Sequence, residues 1–340
     1  MSVLRDLQNR AAARPAHIVL SEGHDPRVVA GALAALEAGM GPITLVGPAA
    51  EISLQLERAG ATGSQAINIQ DPETSPLTAH YASLYLELRK HKGISEEIAA
   101  QKARDPLVFS ALMVRNGDAD GTVGGAVATT SDTVRAALTM IGKAEGAALV
   151  SSFFLMALPE HHPSGRSVMV FGDCGLVIDP DAAELAAIAA QSAASCKQIL
   201  GDDPKVALLS FSTKGSARHD RVTKVTDALA LLHADHPDLP ADGELQFDAA
   251  FVPDVGASKA PGSPTAGHAN VLIFPNLDAG NIGYKIAQRI GGCDAIGPVL
   301  QGLSKPANDL SRGCTAADVT NMIAVTTLQA DIKHNDPEGR

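Results

Sequence analysis

The sequence lacks tryptophan altogether, and only 3% of its 340 residues are aromatic. Its 45% hydrophobic content is ordinary for a globular protein, so the core must be built mainly from Ala, Val, Leu and Ile. No run of 18 or more apolar residues occurs, which argues against a membrane-spanning helix. The N-terminus has no apolar segment of the signal-peptide type, and we therefore expect a cytoplasmic protein.

Positive charge and cysteine are also scarce. The formal net charge of -11 argues against a nucleic-acid partner, because such proteins normally carry a basic face. The four cysteines show no CxxC spacing, so free thiols in a reducing compartment are the simplest interpretation. A few local arginines can still create a positive pocket for a small anion on an acidic protein.

Three familiar catalytic signatures are missing. No GxGxxG follows the first apolar run, and no GxxxxGK[ST] or HExxH occurs anywhere. These absences argue against a nicotinamide-dependent dehydrogenase with that fingerprint, a P-loop nucleotide hydrolase and a catalytic metal. We expect neither a metal nor a tightly bound cofactor.

Short apolar runs alternate with helical segments along the whole chain. HIVLSEG, PITLVG and INIQDP predict strands, and the first two flank an Ala-rich helix over 26–38. This alternation predicts parallel sheets with right-handed crossovers. The length suits two domains of typical size, so we predict two mainly parallel α/β domains facing each other. Ligands in such sheets bind outside the carboxyl ends of the strands.

A polar loop lies between an apolar strand and an apolar helix near the C-terminus, in the stretch GPVLQGLSKPANDLSRGCTAAD (297–318). Rigid scaffolds often carry their chemistry on such loops. Its polar side chains are Lys305, Asn308, Asp309, Ser311 and Arg312.

The helix after this loop has an apolar face that begins at Val319. Thr315 precedes Asp318 by three residues, which is the pattern of a capping box. Local pattern therefore assigns Asp318 to the helix start, where a carboxylate is favoured. Ser311 and Arg312, taken alone, equally suit loop residues that satisfy backbone carbonyls.

A second polar loop, GGAVATTSDTVRAAL (124–138), combines paired glycines with hydroxyl side chains. Paired glycines let backbone N–H groups approach an anion closely. Two interpretations stay open: an anion pocket, or a tight loop followed by a capped helix with a surface arginine. The residues concerned are Thr129, Thr130 and Ser131, with Ser131 or Asp132 as the expected cap and Arg135 on the helix.

Cys174 and Cys314 are candidates for an acyl-carrying nucleophile. A catalytic cysteine needs an adjacent base to lower its pKa, and neither has one in the sequence. We interpret both as structural thiols.

Long motifs from about residue 18 to about residue 330 resemble those of phosphate acetyltransferases (phosphotransacetylases), in the phosphate acetyl/butyryltransferase family. Their order and near-continuity are more specific than any single short motif. They are GGAVATTSDTVRAAL, SSFFLM, FGDCGLVIDPDAAELA, LSFSTKGSARH, DGELQFDAA, KAPGSPTAGHANVLIFPNLDAGNIGYKIAQR and GPVLQGLSKPANDLSRG.

The resemblance implies two α/β domains of the isocitrate/isopropylmalate dehydrogenase-like type, with the active site in the cleft between them. Domain I would comprise 1–145 plus 296–340, and domain II 146–295. A homodimer is the assembly expected from the family.

The resemblance also implies reversible acetyl transfer between acetyl-CoA and phosphate, by direct attack of the coenzyme A thiolate in a ternary complex. Coenzyme A is then a substrate, not a bound cofactor. Asp318 would be the base, Arg312 would hold the phosphate or acyl phosphate, and Ser311 would bond the sulfur or the oxyanion. Arg135 would face the substrate. The other implied binding residues are Thr130, Ser131, Asn308, Lys305 and Arg89, the last of which also suits a solvated helix charge.

Two alternatives to acetyl transfer remain. A butyryltransferase-type enzyme would differ in its acyl pocket by one or two methylenes, a small selectivity. A non-catalytic module that senses coenzyme A or acyl phosphate, like that attached to malic enzymes, is the other. The presence of Ser311, Arg312 and Asp318 favours an enzyme.

Overall fold

The computed structural model describes residues 3–14, 16–61 and 67–330. The chain divides into two compact units, one formed by 6–142 with 303–330 and the other by 143–302 with 3–5. Each unit is built around its own sheet, and helices and strands are numbered in chain order.

The first unit contains a five-stranded sheet in which all neighbouring strands run parallel. The central strand β1 is fully buried, as expected for a parallel sheet covered on both faces. The strands stand in the order β11-β4-β1-β2-β3. Their bounds are β1 (Ile18–Leu20), β2 (Ile43–Val46), β3 (Ile67–Gln70), β4 (Gly121–Gly124) and β11 (Ala307–Asp309).

Helices connect these strands, and the helical segment over 78–102 is broken into two helices. The break is a 3-10 turn, Lys90–Lys92, followed by Gly93 in the left-handed conformation that ends a helix. The helices are α1 (Val3–Ala12), α2 (Pro26–Glu37), α3 (Ala49–Arg58), α4 (Thr78–Arg89), α5 (Glu96–Lys102), α6 (Pro106–Asn116), α7 (Thr130–Ala136) and α13 (Ala316–Gln329).

The C-terminal helix α13 packs against α2, far from it in sequence. Gly31 of α2 has no side chain, and a Cβ there would overlap with Val319 of α13. The Thr320 hydroxyl donates a hydrogen bond to the Gly31 carbonyl at 3.1 Å. This close approach places the first turn of α13 beside the strand-end loops of the first unit.

The second unit contains a six-stranded sheet in the order β10-β5-β6-β9-β7-β8. Strand β5 runs antiparallel to both of its neighbours, and the remaining neighbour pairs are parallel. The predicted α/β class with mainly parallel sheets is therefore confirmed. The bounds are β5 (Ser151–Ala157), β6 (Val168–Gly172), β7 (Val206–Leu209), β8 (Ala241–Leu245), β9 (Val271–Ile273) and β10 (Asp294–Gln301).

Phenylalanines supply part of the core of the second unit despite the low aromatic content. Phe171 and Phe274 lie with ring centroids 5.2 Å apart, and Phe154 belongs to the same buried cluster. The helices of this unit are α8 (Ala182–Ser195), α9 (Asp220–Asp235), α10 (Phe247–Phe251), α11 (Pro253–Lys259) and α12 (Leu277–Arg289).

The end of β10 bears on the domain boundaries implied by the resemblance. Those boundaries, 1–145 with 296–340 and 146–295, assign most of β10 to the first domain. In the structure β10 pairs with β5, and the second unit continues to residue 302. Composition does not change near residue 296, so the sequence offers no local mark for this boundary. Within the ranges described above, no helix is both long and apolar enough to cross a membrane.

Candidate active site at the carboxyl edge of the first sheet

Three loops meet at one edge of the first sheet. They follow β1, β4 and β11, which are neighbours in the sheet. Because the carboxyl ends of parallel strands share an edge, this is where ligands bind in open α/β sheets. The two polar loops singled out in the sequence, 124–138 and 303–315, both reach this edge.

Glu22, just after β1, organises the loop after β4. Its carboxylate is 5% exposed and accepts backbone N–H groups from Ala126 at 2.6 Å, Val127 at 3.0 Å and Ala128 at 2.7 Å. These amides belong to the loop in which the sequence predicted backbone groups free to hold an anion. The protein's own carboxylate occupies the three of them, so an anion pocket here must rely on side chains instead.

The paired glycines of this loop, Gly124 and Gly125, allow the ends of neighbouring strands to pack closely. A Cβ on Gly124 would overlap with the Ser21 hydroxyl, and a Cβ on Gly125 would overlap with the Asp309 carboxylate. Gly125 also has a φ of +95°, which favours glycine. The glycines thus bring β1, β4 and β11 together at their ends.

Arg27, in the first turn of α2, ties the same loops together through carbonyl groups. Its Nη2 donates to the Ala126 oxygen at 2.8 Å, and its Nη1 donates to the oxygens of Arg312 at 2.7 Å and Cys314 at 3.1 Å. The guanidinium also pairs with Asp25, with Nη2 2.8 Å from Oδ2. This hydrogen bond lowers the pKa of Asp25. The charged pair holds the loop after β11 against the loop after β4.

Ser311 and Arg312 lie exposed on the loop after β11. The Ser311 hydroxyl oxygen accepts the Gly313 N–H at 3.3 Å. The Arg312 guanidinium makes no hydrogen bond or ion pair with any residue in the described ranges. The Arg312 backbone is therefore held by Arg27, while its guanidinium is available to a ligand at the carboxyl edge.

Asp318 forms the predicted capping box with Thr315. Its Oδ2 accepts from the Thr315 backbone N–H at 2.8 Å and from the Thr315 hydroxyl at 2.9 Å. The Asp318 N–H donates to the same hydroxyl oxygen at 3.3 Å. The residue is exposed, and its Oδ1 accepts no hydrogen bond from the rest of the described chain. One oxygen caps α13 while the other is open to a ligand, so the two interpretations of Asp318 are compatible.

The cap of α7 is Thr129, two residues before Ser131 and three before Asp132, the two predicted caps. The Thr129 hydroxyl accepts the Asp132 N–H at 3.2 Å and donates to its carboxylate at 2.8 Å. That hydrogen bond is the main cause of a lowered pKa of Asp132. Arg135 is exposed and already engaged, with Nη1 2.8 Å from Asp132 and Nη2 3.1 Å from the Ser131 oxygen.

A buried carboxylate joins α7 to the end of β11. The Thr130 hydroxyl donates to Asp309 Oδ2 at 2.6 Å. Asp309 is fully buried, which raises its pKa to about 6, and its Oδ1 has no hydrogen-bond partner in the described structure. Thr130 therefore faces inward to Asp309, whereas Ser131 faces the solvent side.

Asn308 and Lys305 point elsewhere. Asn308 lies in β11 and is 1% exposed, and its amide nitrogen donates to Thr326 at 2.8 Å and Gln329 at 2.7 Å. Lys305 precedes the strand, at the opposite edge of the sheet, and donates to the Val114 carbonyl of α6 at 2.9 Å. The structure does not bring these two residues to the group formed by Ser311, Arg312 and Asp318.

Arg89 is the last residue of α4, with its Nε buried and without a hydrogen-bond partner among the residues described. No contact ties it to the loops at the carboxyl edge. Its binding role stays a prediction from the resemblance.

The cysteines agree with a structural interpretation. Burial raises the pKa of Cys174 and of Cys314, which disfavours the reactive thiolate. No group of three or more potential metal ligands occurs within the described ranges.

Sequence reasoning missed Glu22 and Arg27 and assigned no role to Asp309, although all three build the edge. Their contacts span about a hundred residues or more, as between Glu22 and the amides near Val127. One signal was available. An acidic residue directly after a buried strand of a parallel sheet lies at the ligand-binding edge.

An open arginine, a serine hydroxyl and a carboxylate with a free oxygen stand on loops at the carboxyl edge of a parallel sheet. This arrangement can bind an anion and accept a proton next to it. The fold and this edge define the class of protein as an α/β enzyme whose candidate site lies at the carboxyl edge of a parallel sheet.

Comparison with known proteins identifies the family. The phosphate acetyl/butaryl transferase family model matches residues 2–327, and the chain belongs to this family. A phosphate acetyltransferase of Paracoccus denitrificans is 50% identical over 329 residues, covering 97% of this chain and 99% of the relative. One from Thermoanaerobacterium thermosaccharolyticum is 46% identical over 330 residues, covering 97% and 100%. The crystal structure of a Streptococcus pyogenes phosphotransacetylase is 42% identical with a TM-score of 0.90, covering 97% of this chain and 99% of that one.

Proposed function

We propose that the protein is a phosphate acetyltransferase, which catalyses acetyl-CoA + phosphate ⇌ acetyl phosphate + CoA. The similarity to phosphate acetyltransferases at 42–50% identity over nearly the whole chain supports the reaction. The observation that carries it in the structure is the open guanidinium of Arg312, which lies with Ser311 on the loop that leads into the helix start of Asp318.

The chemistry requires a base. A thiol of pKa about 8.5 is only a few per cent ionised at neutral pH. When coenzyme A attacks acetyl phosphate, Oδ1 of Asp318 accepts the thiol proton as the sulfur bonds to the acetyl carbon. Oδ2 stays on Thr315 and fixes the carboxylate. The carbonyl oxygen becomes an oxyanion, and phosphate leaves as the C–O bond breaks.

The negative charge on the phosphate and on the oxyanion must be stabilised by hydrogen-bond donors. Arg312 offers a planar fork that matches phosphate oxygens, and in an acidic protein an unpaired arginine is a distinctive attractor. Ser311 donates its hydroxyl hydrogen to the oxyanion or the sulfur. Loss of one such donor typically costs about 100- to 1,000-fold in turnover.

Arg312 and Arg135, the two exposed arginines of these loops, have unequal roles in this scheme. Arg135 already pairs with Asp132 and Ser131, so an incoming phosphate must compete with them. We assign the reacting phosphate to Arg312 and a steering or substrate-holding role to Arg135 with Ser131. Thr130 anchors the start of α7 to the end of β11 through its hydrogen bond to Asp309.

The remaining assignments have less support from contacts. Arg89 stays a candidate for substrate binding, whereas the contacts of Asn308 and Lys305 favour structural roles. Coenzyme A is proposed as a substrate, without a tightly bound cofactor. A cytoplasmic location and a homodimer complete the proposal.

The test follows phosphate- or arsenate-dependent loss of the acetyl-CoA thioester absorbance. Arg312→Ala should lower kcat by about 100-fold or more. Arg58→Ala removes an exposed arginine of α3 and should leave kcat unchanged. Asp318→Asn keeps an acceptor for the cap but removes the base, so kcat should fall without loss of thermal stability. Turnover near wild type in Arg312→Ala and Asp318→Asn would overturn the catalytic assignment.

Butyryl-CoA belongs in the same assay. Faster loss of butyryl-CoA would keep the mechanism and change the substrate. Loss of neither thioester by folded wild-type protein would favour the non-catalytic sensing module.

A further inference from the structure

Asp309 is a buried acid at the junction of the two loops that carry the candidate site residues. Its carboxyl group is fully buried at the end of β11. Ser311 and Arg312 follow it on one loop, and Thr130, the first residue of α7, donates to it from the other. The reaction proposed above assigns no step to this group.

The two oxygens of this carboxyl group have unequal surroundings. Oδ2 accepts the Thr130 hydroxyl at 2.6 Å, whereas Oδ1 is buried without a hydrogen-bond partner in the described structure. Oδ1 lies against Gly125, where even a Cβ atom would overlap with it. An ionised carboxylate with an unpaired oxygen in the interior costs more free energy than a neutral carboxyl group. The geometry therefore favours the protonated form, in agreement with the raised pKa of about 6.

The charges around Asp309 act in the same direction. Three backbone N–H groups donate to the buried Glu22, so ionisation of Asp309 puts a second negative charge in the interior of the same edge. The titratable or charged groups on the elements packed against Asp309 are Glu22, His24 and Asp25 on the loop after β1, Asp132 and Arg135 on α7, Asp318 on α13 and Arg312 on its own loop. Both arginines in this set are exposed, so neither is buried beside Asp309 to balance its charge.

Bound phosphate adds another negative charge at this edge. Its proposed ligand Arg312 follows Asp309 by three residues, and Thr130 ties the same carboxyl group to the start of α7. Charges in the interior are screened less than charges in solvent, so an ionised Asp309 repels an anion held on these loops. The neutral form exerts no such repulsion and still accepts the Thr130 hydrogen bond.

We infer that Asp309 is a positioning residue that couples phosphate binding to the uptake of a proton. Its neutral form joins the two loops through Thr130 and permits the anion to bind, whereas its ionised form weakens phosphate binding. The coupling is reciprocal, so bound phosphate raises the proton affinity of Asp309 by the same factor as the proton raises the affinity for phosphate.

The inference rests on the proposed function for the identity of the anion. The proton comes from solvent and returns to it when phosphate leaves, so Asp309 exchanges no proton with the coenzyme A thiol. Its effect is therefore expected in the affinity for phosphate and not in the acetyl-transfer step.

Calorimetric titration of the full chain with inorganic phosphate tests the coupling without turnover. At about pH 5, wild type and Asp309→Asn should bind phosphate equally, because both carry a neutral group at this position. At about pH 8, wild type should bind more weakly than the variant by about 5-fold or more. The ionisation of phosphate itself cancels in this comparison. In buffers of different ionisation enthalpy, wild type should also take up more protons on binding than Asp309→Asn.

Two further variants complete the titration. Asp227→Asn is the matched control, since it removes the same charge from an exposed aspartate of α9 in the second unit. Its phosphate affinity relative to wild type should not change with pH. Thr130→Val keeps the Asp309 carboxyl group but removes a hydroxyl that lowers its pKa, so the loss of phosphate affinity should move to higher pH.

Steady-state kinetics give a second readout. The KM for phosphate should show the same pH-dependent difference between wild type and Asp309→Asn, while the ratio of their kcat values stays constant. Circular dichroism checks that each variant is folded, and Thr130→Val decides the question if Asp309→Asn is not. An affinity ratio between wild type and Asp309→Asn that is the same at both pH values, or an unmoved profile in Thr130→Val, would overturn the inference. The expected pH dependence of phosphate binding without any loss of thioester would support the inference and refute the acetyltransferase.

Discussion

The buried Asp309 should make the stability of the first unit depend on pH in an unusual direction. Burial raises the pKa of its carboxyl group, the Thr130 and Thr133 hydroxyls lower it, and the charge of Glu22 raises it further. The net result is a pKa of about 6, against an ordinary value of 3.8. The native state therefore holds this proton more tightly than the unfolded chain.

The sign and size of the effect follow from linkage. Between about pH 4 and pH 6 the unfolded chain has lost the proton while the native state keeps it, so stability falls as pH rises and then levels off. At about 1.36 kcal/mol per pH unit, the difference in pKa corresponds to about 3 kcal/mol. Asp309→Asn removes the titration, so its free energy of unfolding relative to wild type should rise by about 3 kcal/mol across this window.

Urea unfolding followed by circular dichroism from pH 4 to pH 7 measures this change. Asp25→Asn is the control, because Arg27 lowers the pKa of Asp25 from its ordinary value of 3.8, so its curve should run parallel to that of wild type over this range. That carboxylate stabilises the native state above its unfolded pKa, and the contribution is lost as pH falls through its folded pKa. Parallel curves for wild type and Asp309→Asn between pH 4 and pH 7 would refute the assignment of a raised pKa to Asp309.

Three further substitutions separate structural from catalytic roles. Glu22→Gln should cost about 1 to 3 kcal/mol of stability and lower turnover, because an amide cannot accept all three backbone N–H groups; an unchanged melting temperature would contradict this. Asn308→Ala should lower stability by a similar amount, since it leaves the Thr326 hydroxyl without this partner, while a raised KM at unchanged stability would instead support substrate binding. Lys305→Ala should cost about 0.3 to 1 kcal/mol by removing a cation from the Val114 carbonyl at the end of α6, with kcat unchanged in the thioester assay.

The parts of the fold that were predictable have local causes. Strands β1 and β2 are short apolar runs, and burial on both faces is enough to explain them. The start of α13 is a capping box of Thr315 and Asp318, three residues apart. The side chain of each accepts a hydrogen bond from the backbone N–H of the other. Such patterns need no knowledge of the rest of the chain.

The features that escaped prediction depend on distant partners. Strand β11 is Ala-Asn-Asp, three residues without an apolar pattern, and it exists because it pairs with β4. The hydrogen bond from Asn308 in this strand to Thr326 could not be foreseen either, and its substrate-binding role stays a prediction from the resemblance. The amides after Gly125 were predicted to be open to an anion, and only the fold shows that Glu22 fills them.

The late position of β11 in the sequence has a consequence for biosynthesis. All six strands of the second unit lie between 143 and 302, and this segment can be complete before β11 leaves the ribosome. The first unit must wait roughly 165 residues after Gly142 for its fifth strand, about 10 to 30 s at ordinary elongation rates. During that interval the edge of β4 and the face of α2 around Gly31 lack their partners, β11 and α13. The nascent chain is most exposed to aggregation in this interval, which ends when a three-residue strand and the helix behind it close the sheet.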